Sequence, residues 1–137
     1  MKLIWNEQLS VGIPAIDDQH KELIKKINDL TDTIFKGEDK GQVLEFIDFL
    51  DNYVTAHFSH EETMMLKADY PEIVSHTREH AAFITRLDTF KRHFNSTGHS
   101  PELSFDTQKW LYGWLISHVS KQDRLAGAYI NSRAEAG

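Results

Sequence analysis

Cysteine is absent from this chain, and with it go disulfides, thiolate metal sites and a cysteine nucleophile. Proline is scarce: the three residues stand at positions 14, 71 and 101, each at a break in the hydrophobic period. No apolar stretch approaches the roughly 20 residues that a membrane span requires. The N-terminal MKLIWNEQL holds only a short apolar run before Asn6 and Glu7, too little for a signal peptide. Basic runs are missing too, and the net charge of -6 argues against a nucleic-acid surface. Strand-like alternation does not compete anywhere along the chain. These absences together predict a cytoplasmic, all-helical protein that neither enters a membrane nor binds nucleic acid.

What is present is helical periodicity. At 137 residues the chain reads as one domain over 1–137, able to bury roughly two-thirds of its unfolded surface. Residues 1–17 carry Gly12 and Pro14 and no helical period, so they are expected to form an extended arm. A first helix, capped by Asp17 or Asp18, runs to about Lys36 with Leu23, Ile24, Ile27, Leu30 and Ile34 on one side. Gly37 and Gly41 punctuate its end. A second helix, from about Gly41 to Lys67, has Val43, Ile47, Leu50, Val54, His57, Glu61 and Met64 in alternating steps of four and three. Asp69-Tyr70-Pro71 is a break, and a third helix from about Pro71 to Asn95 aligns Ile73, His76, His80, Phe83, Leu87, Phe90 and Phe94. The last helix, with Ser100 before Pro101 as its cap, carries Trp110, Leu111, Trp114, Leu115, His118 and Val119 toward Tyr129. The tail 131–137 is expected to fray. Four helices of similar length with short connections predict an antiparallel up-down-up-down four-helix bundle.

The polar residues inside these apolar stripes carry the chemistry. Five of the eight histidines fall in core register: His20, His57, His76, His80 and His118. A lone histidine on an apolar face is ordinarily a hydrogen-bonded core residue, and neither His57 nor His118 would support more by itself. Five such imidazoles beside buried carboxylates are different, because each unpartnered group would cost several kcal/mol. The stripes supply no Lys or Arg as counter-charge, so a pair of divalent cations is the simplest source of it. Imidazole with a minority of carboxylate suits iron, copper or zinc rather than calcium or magnesium. His57 and Glu61, and likewise His76 and His80, lie four apart, with Cβ atoms roughly 5–6 Å apart on one helix face.

Helical phase separates Glu61 from Glu62: the first lies about 40° from His57 around the axis, the second about 140°. Asp123, five after His118, is also about 140° off on an ideal helix, so it can join the set only through a local bulge or bend. His60 lies off the stripe and reads as solvated or at the rim, His93 sits near a helix end, and His99 falls in the loop.

Four runs then coincide with a known family. VGIPAIDDQHKELI around His20, HFSHEETMM, HTREHAAF and WLISHVSKQD resemble the hemerythrins, most closely their single-domain bacterial members, the bacteriohemerythrins. The resemblance covers roughly Trp5 to Leu125, with every segment in family order. It implies a di-iron centre in which His76, His80 and His118 hold one iron and His20 and His57 the other. Glu61 and Asp123 would bridge the two, together with an oxo or hydroxo group, and the family's five-residue separation makes Asp123 a ligand. The second iron would keep one open position for dioxygen.

The ligand balance adds an argument about function. Carboxylate-rich di-iron bundles supply about four carboxylates, which favours highly oxidised iron. Here five neutral imidazoles and two carboxylates leave a reduced core with one hydroxide formally at plus one. In the family's chemistry the oxygenated state has the same charge, so no outside proton or electron is needed. That favours reversible oxygen binding over turnover: a carrier, store or delivery protein, expected as a monomer, with an oxygen-consuming enzyme as recipient. The alternatives are a di-iron oxidase, an enzyme handling peroxide or nitric oxide, or an oxygen or redox sensor acting with a partner in trans. Leu23, Phe58, Phe83, Trp114, Leu115 and Val119, each one to four residues from a ligand, are core residues that would also exclude water and protons from an oxygen pocket.

Overall fold

A computed structural model describes residues 3–37, 40–97 and 101–136. Among them the chain is all-α: α1 (Pro14–Phe35), α2 (Lys40–Lys67), α3 (Ile73–Thr97) and α4 (Pro101–Ser117). A π-helical turn over His118–Asp123 then joins α4 to α5 (Arg124–Ala136) in one continuous rod. Cross-helix contacts run in opposite senses along every neighbouring pair. Between α1 and α2, Gln19 meets His57 while Lys26 lies over the Phe49 ring. Between α2 and α3, Glu62 meets His80 while Lys91 pairs with Asp48. Across the last two seams, His80 meets His118 while Phe83 meets Trp110, and His20 meets Asp123 while Asn28 meets Tyr112. The result is an up-down-up-down four-helix bundle with its core along the axis.

The apolar stripes build that core much as their period predicts. Val43, Ile47, Leu50 and Val54 of α2, and Phe83, Leu87, Phe90 and Phe94 of α3, are all buried. The α2 stripe differs at its end, where Met65 rather than Met64 is fully enclosed. Alternating steps of four and three drift about 20° per heptad on a straight helix, and by the third heptad the drift has carried Met64 aside.

Two boundaries also differ from expectation. The arm is not extended through residue 17: a 3-10 turn covers Glu7–Leu9 and α1 starts at Pro14. Pro14 fits a first helical turn because its missing N–H has no intrahelical partner to lose. Asp17 therefore caps no helix; its carboxylate turns back to accept from Ser10 Oγ at 2.6 Å and Val11 N at 2.9 Å. At the other end α5 runs past residue 131 to Ala136, and its Asn131 Nδ2 donates to Gly12 O at 2.9 Å. Smaller shifts put Gly41 inside α2 and Pro71 in the turn before α3. That turn pivots on Asp69 at φ 55°, a left-handed conformation that Asp tolerates better than most residues. Gly37, at φ 70°, ends α1 as expected. The expected cap Ser100 and the loop residue His99 lie outside the described residues.

The arm is held across the bundle by polar contacts as well as by buried Leu9 and Val11. Asn28 accepts from Leu3 N and donates to Leu3 O, while Tyr112 Oη of α4 donates to Asn28 Oδ1 at 2.6 Å. Gly127 of α5 has no Cβ to obstruct the arm; one would stand 2.2 Å from Val11 O. Among the described residues, no helix is long and apolar enough to cross a membrane.

Candidate metal centre

All seven polar residues singled out from the stripes converge at one level of the bundle, and each is buried. α1 contributes His20; α2 contributes His57 and Glu61; α3 contributes His76 and His80; the π turn contributes His118 and Asp123. That turn brings Asp123 back over His118, with Asp123 Oδ1 2.9 Å from His118 Nε2. A π-helix closes i to i+5, so residues five apart stack where an α-helix would splay them. This is the bulge that the spacing required.

The two carboxylates divide their oxygens. Glu61 Oε1 faces His76 Nε2 at 3.1 Å and His80 Nε2 at 3.5 Å, whereas Oε2 faces His57 at 2.8 Å and His20 at 3.3 Å. Asp123 Oδ1 faces His76 at 2.8 Å and His118 at 2.9 Å, whereas Oδ2 faces His20 at 3.0 Å. Two ligand groups share these carboxylates: His76, His80 and His118 with both, and His20 and His57 with both.

The imidazole tautomers decide what the centre can accept. His80 Nδ1 lies 3.0 Å from Glu62 Oε2 and His118 Nδ1 lies 2.9 Å from Glu79 Oε1. A carboxylate only accepts, so both Nδ1 atoms donate, and in the neutral ring each Nε2 keeps a lone pair. Those two Nε2 atoms are 3.1 Å apart, a contact that needs a proton or a cation between them. His57 Nδ1 donates likewise to Gln19 Oε1 at 2.6 Å. Both Asp123 oxygens are buried with no hydrogen-bond donor along their lone pairs among the described residues. A buried carboxylate ringed by three imidazole nitrogens, one of them on a ring whose Nδ1 proton is already committed, fits a metal ion.

Without an ion, protons take its place. Burial opposes charging His20 and His76, yet the carboxylates of Asp123 and Glu61 outweigh it and raise both to about 9. His118 is raised too, burial again being overcome, here by Asp123 and Glu79. Asp123, despite burial and the neighbouring Glu61, is held down to about 2 by His118, His20 and His76. Glu61 is likewise held well below the usual carboxylate range by the four histidines around it.

The shell around the centre is aromatic and apolar. Phe58 stacks on His80 with centroids 3.9 Å apart, and Trp114 stacks on His118 at 4.4 Å. Leu23, Phe83, Leu115 and Val119 are buried in the same cluster, and Trp114 is half-buried against it. A water-sized cavity of about 10 Å³ adjoins Glu61 and Asp123 on the arm side, walled by Val11, Ile16 and Met65.

The sequence of residues 11–130 matches the family described as Hemerythrin HHE cation binding domain. The chain belongs to the hemerythrin family. Among its hemerythrin relatives, the bacteriohemerythrin of Methylococcus capsulatus is 31% identical over 125 residues, covering 91% of this chain and 93% of that one. That of Pseudomonas aeruginosa is 31% identical over 121 residues, 88% of this chain and 76% of the relative. A crystal structure of wild-type hemerythrin superposes with a TM-score of 0.83 at 28% identity, covering 93% of this chain and 97% of that chain.

Three residues near this hemerythrin centre escaped the sequence reading: Gln19, Glu79 and, as more than a rejected ligand, Glu62. Each adjoins a stripe histidine or glutamate in sequence, at 19, 79 and 62. Their side chains reach across to a different helix, however, and helical spacing carries no signal for that. His60, exposed at the rim, meets Gln19 Nε2 through Nδ1 at 2.8 Å, and His93 is exposed.

Proposed function

We propose that this chain binds dioxygen reversibly at a pair of iron ions and serves as a carrier, store or delivery protein. His76, His80 and His118 would hold one ion, and His20 and His57 the other. Glu61 and Asp123 would serve both, each offering one oxygen to either side. The observation that carries this reading is the division of each carboxylate's two oxygens between the two groups of imidazoles. The choice of iron among the metals that suit such donors follows the family. The two-histidine half has one protein ligand fewer, and so a position to spare for a small ligand.

The iron pair, when bound, supplies electrons that dioxygen can borrow and return. The chain supplies the conditions for their return. Five imidazoles and two carboxylates hold the core near constant charge, so the residues need not deliver a proton from solvent. Leu23, Phe58, Phe83, Trp114, Leu115 and Val119 would keep water and protons away from the ligand. Phe58 and Trp114 stack on the His80 and His118 rings, and Leu23, Phe83, Leu115 and Val119 are buried in the apolar cluster that continues from them. The test is direct. Reduced, iron-loaded protein prepared anaerobically should develop visible charge-transfer absorption when dioxygen is admitted and lose it when dioxygen is removed. Irreversible bleaching with consumption of an added reductant would replace this reading with an oxidase.

A further inference from the structure

The groups behind the ligand rings are not equivalent on the two sides of the centre. In the three-histidine half, His80 and His118 each donate Nδ1–H to a carboxylate, Glu62 at 3.0 Å and Glu79 at 2.9 Å. In the two-histidine half, His57 donates to the neutral amide oxygen of Gln19 at 2.6 Å. One ring in each half, His20 and His76, has an Nδ1 with no partner among the described residues, so the halves differ by two carboxylates against one amide. Gln19 Nε2 in turn meets His60 Nδ1 at 2.8 Å, and the Gln19 backbone carbonyl accepts from Tyr53 Oη at 3.1 Å.

A carboxylate behind an imidazole draws on the Nδ1 proton, makes Nε2 more basic and favours a more highly charged ion in front of it. A neutral amide orients the ring without that pull. Glu62 and Glu79 are about a third exposed on their side chains, so solvent screens their charge at long range. The hydrogen bond itself acts at contact, and it survives that screening.

From this asymmetry we infer that Glu62, Glu79 and Gln19 are positioning residues that make the two metal sites electronically unequal. The carboxylates bias the three-histidine site toward the oxidised ion, and Gln19 keeps the two-histidine site, the one with a position to spare, easier to reduce. This rests on the two-ion reading above and adds to it which half holds its electrons more loosely.

Gln19→Glu, Glu62→Gln and Glu79→Gln test it, since none of the three is among the seven ligand candidates. Mediated redox titration of the iron-loaded protein should give a lower midpoint potential for Gln19→Glu and a higher one for the two glutamine variants. Competition titration with Co²⁺ should show affinity rising in the first and falling in the others, by roughly 10–100-fold. Shifts of one sign in all three, or none in variants that keep their helical circular dichroism, overturn the inference. A variant that fails to fold does not remove the test, because wild-type protein loaded with Zn²⁺ provides a second measurement. Nitrogen-detected NMR should then show Nδ1–H on His57, His80 and His118, more strongly deshielded on the two that face carboxylates. Three equal Nδ1–H shifts would overturn the inference. Metal binding with this pattern but no reversible oxygen uptake would refute the oxygen-binding proposal alone. Reversible uptake with equal shifts and unmoved potentials would refute this inference alone.

Discussion

At the scale of single residues, Leu115 links packing to chemistry. It is buried three residues before His118 in the cluster that also holds Leu23, Phe58 and Val119. Leu115→Ala should cost about 2–5 kcal/mol of stability by the cavity it leaves, read by denaturant unfolding. On the dioxygen-binding proposal it should also speed autoxidation, because the space created admits water near the centre; an unchanged rate would exclude Leu115 from the proposed pocket. Asp123 depends on the backbone that carries it. Its phase relative to His118 is wrong for an α-helix, and only the six-residue π turn corrects it. Spacing could state that a bulge was required but could not say that the backbone would form one. Gln19 and Glu79 were not legible at all, because their roles depend on the neighbouring helix.

At the scale of elements, the arm and α5 depend on one glycine. Alanine at position 127 would gain up to about 1 kcal/mol of helix propensity. Its Cβ, however, would meet the backbone oxygen of Val11 at 2.2 Å, and overpacking of this kind costs about 1–3 kcal/mol. The clash should win. Gly127→Ala is therefore expected to lower thermal stability and to speed amide exchange at Val11, whereas a stabilised variant would mean that the arm yields freely. Asp17→Ala should loosen the same arm from its other side by removing the acceptor of Ser10 Oγ and Val11 N. A hydrogen bond to a charged group is worth about 1.5–3 kcal/mol, and the loss should appear in the same exchange measurement. The arm was expected to be extended as far as residue 17 because Gly12 and Pro14 break the period. Pro14 instead starts the helix, and the break lies before it.

At the scale of the whole molecule, the centre couples folding, protons and metal. In the metal-free protein, His20 and His76 are raised to about 9 from 6.5. Their contribution to stability is full below pH 6.5 and is lost as pH rises through about 9. Asp123, lowered from 3.8 to about 2, contributes above pH 3.8 and loses that contribution as pH falls through about 2. Metal-free protein should accordingly be most stable between about pH 4 and 6.5, which unfolding across a pH series would measure. A cation must displace the histidine protons, so metal uptake near neutral pH should release protons and strengthen as pH rises toward 9. Calorimetry in two buffers of different ionisation enthalpy would count those protons; an equal heat in both would mean that none is released. Metal at a thousandfold excess over its dissociation constant should add about 4 kcal/mol of stability.

By itself the sequence determined the helices, the faces they bury and the seven polar residues set within those faces. Local periodicity dictates which side chains share one side of a helix, and burial then requires those that are polar to have partners. Spacing left open how the seven divide into two groups, which only the family resemblance implied; tertiary structure decided which carboxylate oxygen faces which imidazole and which outer groups fix the ring tautomers. Most of those relations join different helices, from Glu61 with His76, 15 positions apart, to Glu61 with His20, 41 apart, and His20 with Asp123, farther still. The relative height and rotation of those helices are set by packing. Asp123 belongs to both accounts: its five-residue offset from His118 required a distortion, and the folded chain provided it as a π turn.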